Sequence, residues 1–470
     1  MIVMKFGGTS TQDTSAIANV VKIIQSRLAQ KPIVVVSAIA HATNMLEKIG
    51  KLAAEKNDRE AREVLTQLFN RHYEIVDHTI RHLTRNRTFR SQLETTREEI
   101  ETIIKGVSIL RELTPRTLDL LCCFGELLSS RIVAAALQEH GIQSEWLDTK
   151  DFMITDENFT RAMPLMDEVE NQLKKLVMPL IEKGIVPVTQ GFIGITQSGR
   201  RTTMGRESSD FSAAIIGAAL DADDIQIWTD VDGVLTADPT VVNNPKKIKR
   251  LSFEEAFELS YFGAKVLHPN TMLPAIEKSI PIHIYNSRRP NLSGTMVSIE
   301  LDNNYTLVKS ITYKRNVVML SIAPRKRLGQ FIFWEHIHNV LTKYDAVVRM
   351  SSTSEYNYSV LIDTKVNYPA IVHDLSEIGI VDVNESMGIV CVVGSNLINS
   401  SKVVDRIFEA IADIGIRMIS FGASKSNLSF VVNDEDILDA VKQIHDEFFS
   451  DVETDEVFEV LEHLPNSPPR

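Results

Sequence analysis

The sequence predicts an α/β protein in which a largely parallel sheet packs between helices, followed by two smaller α+β units. From Met1 to about residue 240, short apolar β-like runs alternate with stretches whose apolar residues recur at helical spacing. Beyond a turn-rich segment at residues 287–294, the chain instead repeats a strand, helix, strand, strand order. At 470 residues the chain is also too long for a single ordinary core.

The first predicted strand covers Met1 to Lys5, a helix follows around residues 14–30, and a second strand runs from Pro32 to Ser37. Further strands are predicted at residues 143–147, 186–190 and 225–229, each after a helical segment. Ligands of parallel sheets bind at the carboxyl ends of the strands, so we expect the functional residues in the loops that follow them. The charged, glycine-poor stretch at about residues 52–110 predicts a helical insertion.

We predict one domain over residues 1–298 and a second region over residues 299–470. Within that region, Asp345-Ala-Val-Val-Arg-Met350 resembles Asp413-Ile-Gly-Ile-Arg-Met418, and each run precedes a second strand-like run. This weak repeat predicts two α+β units at about residues 312–383 and 384–450, interleaved with the C-terminal segment. Chance similarity between two such units is the alternative interpretation.

Composition narrows the class of protein. A formal charge of −12 argues against a general nucleic-acid or anionic membrane surface and favours a small-molecule partner. Cys122, Cys123 and Cys391 have neither metal-ligand spacing nor a plausible disulfide pattern, which predicts a reducing cytoplasm. We find no apolar run near the roughly 20 residues that span a bilayer, so we predict neither membrane insertion nor secretion.

Two glycine-containing loops predict anion binding. Lys5-Phe-Gly-Gly-Thr-Ser10 places a lysine and two glycines at the end of the first strand, where backbone N–H groups can approach anionic oxygens; an ordinary turn is equally compatible with it. A second loop, at residues 189–206, leads into the helix at Asp210, whose N-terminus favours anions. Arg206 could grip a carboxylate or phosphate, and Asp210 could hold a lysine or metal in position. The alternative is that Ser209 or Asp210 merely caps the helix.

Other candidates are less specific when each is taken alone. Glu126 lies on the edge of an apolar helical stripe, in a helix started by Thr114 and Pro115, and a carboxylate there needs a cationic partner. A structural salt bridge is the default interpretation of that carboxylate. Further polar residues follow other strands, and each has a routine alternative as a turn former or solvated charge: Ser37, Thr43, Thr229, Asp230 and Lys265.

Taken together, the motifs resemble those of the aspartokinases. The matching runs, in order, are Lys5-Phe-Gly-Gly-Thr-Ser10, Gln190-Gly-Phe-Ile-Gly194, Thr203-Met-Gly-Arg206 with Ser209-Asp210, Trp228-Thr-Asp-Val-Asp-Gly233 and Phe262-Gly-Ala-Lys-Val-Leu-His-Pro269. The C-terminal pair of units resembles the ACT domains of that family. The resemblance implies the amino-acid kinase fold and transfer of phosphate from ATP to L-aspartate, giving 4-phospho-L-aspartate at the start of lysine, threonine and methionine biosynthesis.

The resemblance also implies roles for individual residues. Lys5 would contact the transferring phosphoryl group and Asp210 would orient that lysine. The remaining residues divide into an aspartate pocket (Ser37, Thr43, Glu126, Phe192, Arg206 and Ser209) and an ATP site (Gly7, Gly8, Thr9, Ser10, Thr229, Asp230 and Lys265). Mg²⁺ would be held mainly by the nucleotide, with no protein metal site. Lysine or threonine would act on the ACT domains, through which the chain would form a homodimer.

Some positions depart from the family pattern. Glu207 and Ser208 stand where many members have a small uncharged pair, and Leu235 and Thr240 replace an aromatic and a polar or basic residue. Arg349 stands where lysine-inhibited members often carry an aspartate, which puts lysine inhibition in question. The departures at Glu207 and Leu235 motivate one alternative, a catalytically silent amino-acid sensor. A further alternative is a kinase of the same fold that phosphorylates glutamate, acetylglutamate or a nucleotide.

Overall fold

The computed structural model describes residues 1–205, 208–263, 267, 269–299, 307–325, 330–354 and 357–460. The chain separates into two compact units. The first unit contains Met1–Val234 and Leu267–Ile299, and the second contains the described residues of 235–266 and 300–470. The predicted functional division at residue 298 stays a prediction, and it did not anticipate that residues 235–266 group with the C-terminal region.

The strands and helices follow the chain in alternation at first and in a βαββ order later. The strands are β1 Ile2–Phe6, β2 Pro32–Val36, β3 Ser144–Trp146, β4 Ile154–Thr155, β5 Val186–Gln190, β6 Ile193–Thr196, β7 Arg201–Thr203, β8 Asp224–Thr229, β9 Val234–Leu235, β10 Lys247–Ile248, β11 Arg250–Ser252, β12 Ile282–Asn286, β13 Thr295–Ser298, β14 Leu307–Pro324, β15 Val348–Thr353, β16 Tyr358–Asp363, β17 Gly379–Ser395, β18 Met418–Phe421, β19 Asn427–Asn433 and β20 Phe458–Glu459. The α-helices are α1 Thr14–Ser26, α2 Ala42–Ala54, α3 Asp58–Thr79, α4 Leu83–Leu110, α5 Pro115–Glu139, α6 Met166–Glu182, α7 Ser209–Ala219, α8 Phe253–Phe262, α9 Pro269–Glu277, α10 Gln330–Lys343, α11 Tyr368–Ile378, α12 Ser401–Ala410 and α13 Ile437–Phe449.

The first unit is built on a mainly parallel sheet in the order β13-β12-β8-β1-β2-β5-β3, in which β12 and β13 form the antiparallel pair. Strands β1 and β2 are apolar almost throughout because helices cover both faces of the sheet. The predicted amino-acid kinase architecture is confirmed. It places the carboxyl ends of β8, β1, β2 and β5 next to one another at one edge.

Helix α5 begins as predicted, with Pro115 in its first turn and the Thr114 hydroxyl accepting from the Thr117 N–H at 3.2 Å. By length and composition it is apolar enough to span a membrane, so the expectation that no run approaches that length was wrong for this segment. Most of the helix is buried inside the first unit, since it packs against α2, β5 and β7. Its apolar character is that of a core helix.

The predicted helical insertion consists of α3 and α4. Their apolar residues pack with α2 and α5 around Leu65, Phe69 and Ile100, all of which are fully buried. The opposite faces carry charged side chains, as expected of helices with one solvent-facing side. The insertion therefore extends the core of the first unit without extending its sheet.

The second unit is organised by an antiparallel sheet in the order β15-β16-β14-β17-β19-β18. The long strands β14 and β17 pair at its centre, and the hairpins β15–β16 and β18–β19 lie at equivalent positions on either side. These hairpins contain the two halves of the repeat predicted from the sequence. The predicted pair of ACT-type α+β units is confirmed, and its members share the two central strands.

A buried ion pair ties α8 to this second sheet. The Lys309 ammonium lies 2.8 Å from the Glu255 carboxylate, and both side chains are about 2 % exposed or less. The other oxygen of Glu255 accepts a hydrogen bond from the Ser395 hydroxyl at 2.7 Å. The segment that contains α8 is thus fixed to the centre of the ACT-type sheet by charges removed from solvent.

Candidate active site

Lys5 occupies the centre of the sheet edge where the four strand ends meet. It lies in β1, opposite Val35 of β2 and Ile227 of β8. Its ammonium lies 2.7 Å from the Asp210 carboxylate, and the two side chains are 12 % and 14 % exposed. A largely buried cation next to a single carboxylate keeps an N–H able to meet a further anion.

Asp210 lies in the first turn of α7, and it does not serve as the cap. The N-cap residue is Ser208, whose side chain makes no capping hydrogen bond. The capping alternative for Ser209 and Asp210 was therefore wrong: Asp210 is directed toward Lys5 instead. This arrangement brings a fixed positive charge and a helix N-terminus to the same place, which favours an anionic ligand.

The glycine loop after β1 is held close to the loop after β2. A Cβ on Gly8 would lie 2.8 Å from the Ala38 carbonyl oxygen, so only glycine fits there without movement. The Gly7 N–H donates to the Trp228 carbonyl at 3.0 Å, and the Ser10 hydroxyl donates to the Ser287 hydroxyl at 2.8 Å. In this structure the polar groups of Gly7 and Ser10 shape the loop, while Gly8 and Thr9 begin its short 3-10 turn.

Glu126 is the most unusual ionisable group of the site. Its side chain is buried, one carboxylate oxygen accepts from the Ala38 N–H at 3.1 Å, and the other has no hydrogen-bond partner among the described residues. Burial raises the pKa of Glu126 from 4.5 to about 8. Within the described residues Glu126 forms no ion pair, so the default expectation of a structural salt bridge finds no support there.

The loop after β2 packs directly on helix α5 beside Glu126. A Cβ on Gly125 would lie 2.9 Å from the Ala38 Cβ and 3.7 Å from the Thr43 hydroxyl. The Ser37 N–H donates to the Phe6 carbonyl at 3.1 Å, and the Ser37 carbonyl accepts from the Ser129 hydroxyl at 2.7 Å. Ser37 and Thr43 thus lie in the surroundings of Glu126.

Phe192 follows β5 in a left-handed backbone conformation, with φ of 66°. Its N–H donates to the Ser212 hydroxyl of α7 at 2.9 Å, which fixes this loop on the helix that carries Asp210. Close contact continues at Gly191, where a Cβ would lie 2.7 Å from that of Ser209. The structure therefore brings Phe192 and Ser209 together with the start of α7.

The turn after β8 forms a polar network that the sequence only partly indicated. The Thr229 hydroxyl donates to Asp230 at 3.3 Å, and the Thr229 carbonyl accepts from the Ser287 N–H at 2.8 Å. Asp232 accepts from the Asn286 amide at 2.6 Å and pairs with Arg289. Sequence reasoning missed Asp232, Asn286 and Arg289, although the turn-rich run after β12 was a usable signal.

Asp119 is a second buried carboxylate that sequence reasoning missed. It accepts from the Thr203 N–H at 3.0 Å, from the Thr203 hydroxyl at 2.7 Å and from the Thr160 N–H at 2.8 Å. Burial raises the pKa of Asp119 despite these donors. Since Thr203 ends β7, Asp119 anchors the start of the loop that leads to α7.

Three residues singled out from the sequence lie outside the described residues: Arg206, Glu207 and Lys265. Among the residues that the structure describes, no group of three or more His, Cys, Asp or Glu side chains is placed to hold a metal ion. The described site therefore offers one lysine, a helix N-terminus, backbone amides and an unpaired buried carboxylate. This set suits the binding of anions alongside a small cation-bearing ligand.

Comparison with known proteins gives the same organisation. The model of the amino acid kinase family matches residues 1–286, and that of an ACT domain matches residues 390–448. Aspartokinase 1 of Arabidopsis thaliana chloroplasts is 34 % identical, over 99 % of this chain and 83 % of its own length. The lysine-sensitive aspartokinase 3 of Escherichia coli strain K12 is 33 % identical, over 96 % and 99 % respectively.

Solved structures agree over the same extent. Aspartokinase III of E. coli, crystallised with aspartate and ADP in its R state, superimposes with a TM-score of 0.82 at 32 % identity, covering 96 % of this chain and all of the other. The T-state structure of that enzyme with lysine and aspartate gives a TM-score of 0.81. The similarity therefore includes both units of this chain.

Proposed function

The chain belongs to the amino acid kinase family, within its aspartokinases, and from that premise we propose which residues carry each part of its reaction. The reaction transfers a phosphoryl group from ATP to the β-carboxylate of L-aspartate. The observation that carries the assignment of residues is the placement of Lys5, Asp210 and Glu126 around one edge of the parallel sheet.

The nucleophile needs no general base. A β-carboxylate has a pKa near 4 and is already ionised at neutral pH. The protein has to bring two anions together, align them and stabilise the charge on the phosphoryl oxygens. A fixed cation and a helix N-terminus supply that stabilisation without any proton transfer.

Lys5 is the residue that stabilises the transferring phosphoryl group. Its ammonium is held by Asp210 at 2.7 Å, which fixes its position before the substrates bind. Gly8 allows the loop after β1 to come close to the backbone of Ala38. Gly7, Thr9 and Ser10 complete the wall of the phosphate site.

Glu126 receives the α-ammonium group of aspartate. Its free carboxylate oxygen is buried and lacks a partner among the described residues, so an incoming cation would be strongly favoured there. Arg206 would hold the α-carboxylate, on the family resemblance alone. The rest of the pocket is formed by the residues packed around Glu126 and the start of α7, namely Ser37, Thr43, Phe192 and Ser209.

The nucleotide lies on the β8 side of Lys5. Thr229 ends that strand and Asp230 follows it. The network of Asp232 with Asn286 and Arg289 keeps their turn rigid. Lys265 would add a positive charge for the phosphates, again on the resemblance. Mg²⁺ would arrive on the nucleotide and neutralise phosphate charge, since a phosphate-bound magnesium needs few protein ligands.

The C-terminal ACT-type pair would bind an end-product amino acid and join two chains edge to edge. Arg349 lies 2.7 Å from Asp363, which also pairs with Lys314 at 3.3 Å. The Arg349 guanidinium, which departs from the lysine-inhibited pattern, therefore has an internal carboxylate partner, and lysine and threonine both remain candidate effectors. All three cysteines are buried thiols, in keeping with a reducing compartment.

The proposed function is tested by measuring ADP formation from ATP in the presence of Mg²⁺, with L-aspartate, L-glutamate and N-acetylglutamate compared as acceptors. We expect turnover with L-aspartate, because Glu126 requires a free α-ammonium group that acetylation removes. Lysine and threonine added in parallel identify the effector. Binding of amino acids without turnover on any acceptor would instead favour the silent sensor.

A further inference from the structure

A cleft of about 430 Å³ lies between α4 and α5, and its charged groups have no role in the proposed reaction. One wall is the polar face of α4, with Glu99 at its rim. The other is the face of α5 that carries Leu120, Leu127 and Arg131. One end is closed by Asp148, Lys150 and Arg201. The cleft belongs to the first unit.

Arg131 is the central group of this cleft. Its guanidinium stacks on the Trp146 ring at 4.4 Å from the ring centroid. No described residue accepts a hydrogen bond from it or pairs with it, and burial lowers its pKa, the sign of a charge that has lost part of its hydration. A guanidinium held in a fixed plane, with its N–H groups unused, is suited to a carboxylate.

Positive charge exceeds negative charge at the closed end. The Arg201 guanidinium grips Asp148 through two hydrogen bonds of 2.7 Å, and the Lys150 ammonium lies 4.0 Å from the same carboxylate. Asp148 is thus shared by two cations, while Arg131 is attracted to it without a direct bond. The end of the cleft therefore has capacity for one further anionic group.

The rest of the cleft is amphipathic. Glu99 is exposed on α4, forms no ion pair within the described residues, and is close enough to attract Arg131 electrostatically. Leu120 is 38 % exposed, and Leu127 lies between it and Arg131 along the same face of α5. A cation, an anion and an apolar surface are therefore presented together.

From this arrangement we propose that the cleft binds an apolar α-amino acid. The carboxylate of the ligand lies on Arg131 and Lys150, its ammonium group on Glu99, and its side chain on Leu120 and Leu127. A simple fatty acid would leave Glu99 without a cationic partner, and an amine would leave Arg131 without an anionic partner. The site is separate from the aspartate pocket and from the ACT-type sheet.

The cleft is connected to the active site through α5 and through its closed end. Helix α5 carries Glu126 as well as Arg131, and Arg201 begins β7, whose last residue Thr203 is anchored by Asp119. A bound amino acid would therefore contact α5 directly and would be linked to β7 through Asp148, the carboxylate that Lys150 and Arg201 share. This consequence rests on the proposed function, whereas binding in the cleft does not.

Binding of L-leucine to the full chain, measured by titration calorimetry with saturating L-aspartate and L-lysine, tests the proposal. These additions fill the substrate pocket and a lysine-binding ACT site. We expect one leucine per chain, and Arg131→Gln should weaken that binding about tenfold or more, since it removes a charge-assisted contact. Arg116→Gln, an exposed arginine on the same helix, is the matched control and should bind leucine normally.

Three further comparisons keep the test specific. Arg131→Lys should retain part of the affinity, and circular dichroism should show Arg131→Gln folded. 3-Methylbutylamine lacks the carboxylate of leucine, and 4-methylpentanoate lacks its ammonium group. Both should bind more weakly than leucine. The proposal is overturned if leucine, methionine and phenylalanine all fail to bind the unmodified chain, or if folded Arg131→Gln binds leucine as tightly as the unmodified chain.

Discussion

Replacement of Glu126 by glutamine should change how the stability of the protein depends on pH. In the structure the carboxylate is 3 % exposed, accepts one backbone hydrogen bond from Ala38 and has one oxygen without a partner among the described residues. Its pKa is raised from 4.5 to about 8 because burial penalises the charged form. Glutamine keeps the shape and the acceptor but never ionises.

The sign and size of the effect follow from proton binding. Between about pH 4.5 and 8 the folded protein holds a proton on Glu126 that the unfolded chain has lost. The stabilising contribution of this group is therefore complete below pH 4.5 and falls by about 1.4 kcal/mol for each pH unit until it levels off above pH 8. Over that whole window the loss amounts to about 4 to 5 kcal/mol, as an upper figure.

Urea unfolding of the two proteins, from about pH 5 to pH 8, measures this effect through the transition of the first unit. We expect the stability of the unmodified protein to fall with pH relative to Glu126→Gln, by at least about 2 kcal/mol across the range. Glu112→Gln, an exposed substitution just before α5, is the control and should run parallel to the unmodified protein.

The same carboxyl group should couple pH to substrate binding. An ammonium group placed beside Glu126 favours its ionised form, so aspartate binding at pH 7 should release close to one proton. Calorimetry in two buffers of different ionisation enthalpy measures that number, and Glu126→Gln should release almost none. Parallel stability curves for the two proteins, together with no proton release, would refute the reasoning.

Three further substitutions test the packing and charges of the two units. Gly8→Ala should lower the free energy of unfolding by about 1 to 3 kcal/mol, because the new Cβ meets a backbone oxygen at 2.8 Å. In the same urea assay the control Gly106→Ala should be neutral or stabilising, because its new Cβ points into open space. Lys309→Met should cost about 3 to 5 kcal/mol by leaving Glu255 buried without its partner, and adding Glu255→Gln should recover part of that loss; no loss would contradict a buried pair. Asp210→Asn should reduce kcat at least about tenfold with little change in thermal midpoint, and unchanged turnover would show that the lysine needs no partner.

The fold was predictable where local patterns decide it. Alternating apolar runs and helical segments indicated the parallel sheet, and the Thr114 and Pro115 signal gave the start of α5 within one turn. The weak repeat around Asp345 and Asp413 located two hairpins that now flank β14 and β17. What the repeat did not show is that these two long strands are shared, because strand partners distant in sequence leave no local signal.

The candidate site was predictable mainly through the family resemblance. From spacing alone, Glu126 was expected to form a salt bridge, and the structure instead gives it only a backbone donor. Capping was the alternative for Asp210, and its pairing with Lys5, some two hundred residues away, could not be read from helix signals. Asp119 was missed for the same reason, since its partners Thr160 and Thr203 are joined only by the fold.

The most direct test of the proposed mechanism is aspartate-dependent ADP release by Lys5→Met, measured alongside aspartate binding by calorimetry. We predict that kcat falls by at least about 10² to 10³ while aspartate still binds and the protein stays folded, because the lysine acts on the phosphoryl group and not on the acceptor. Turnover close to that of the unmodified protein, with normal aspartate binding, would contradict the account.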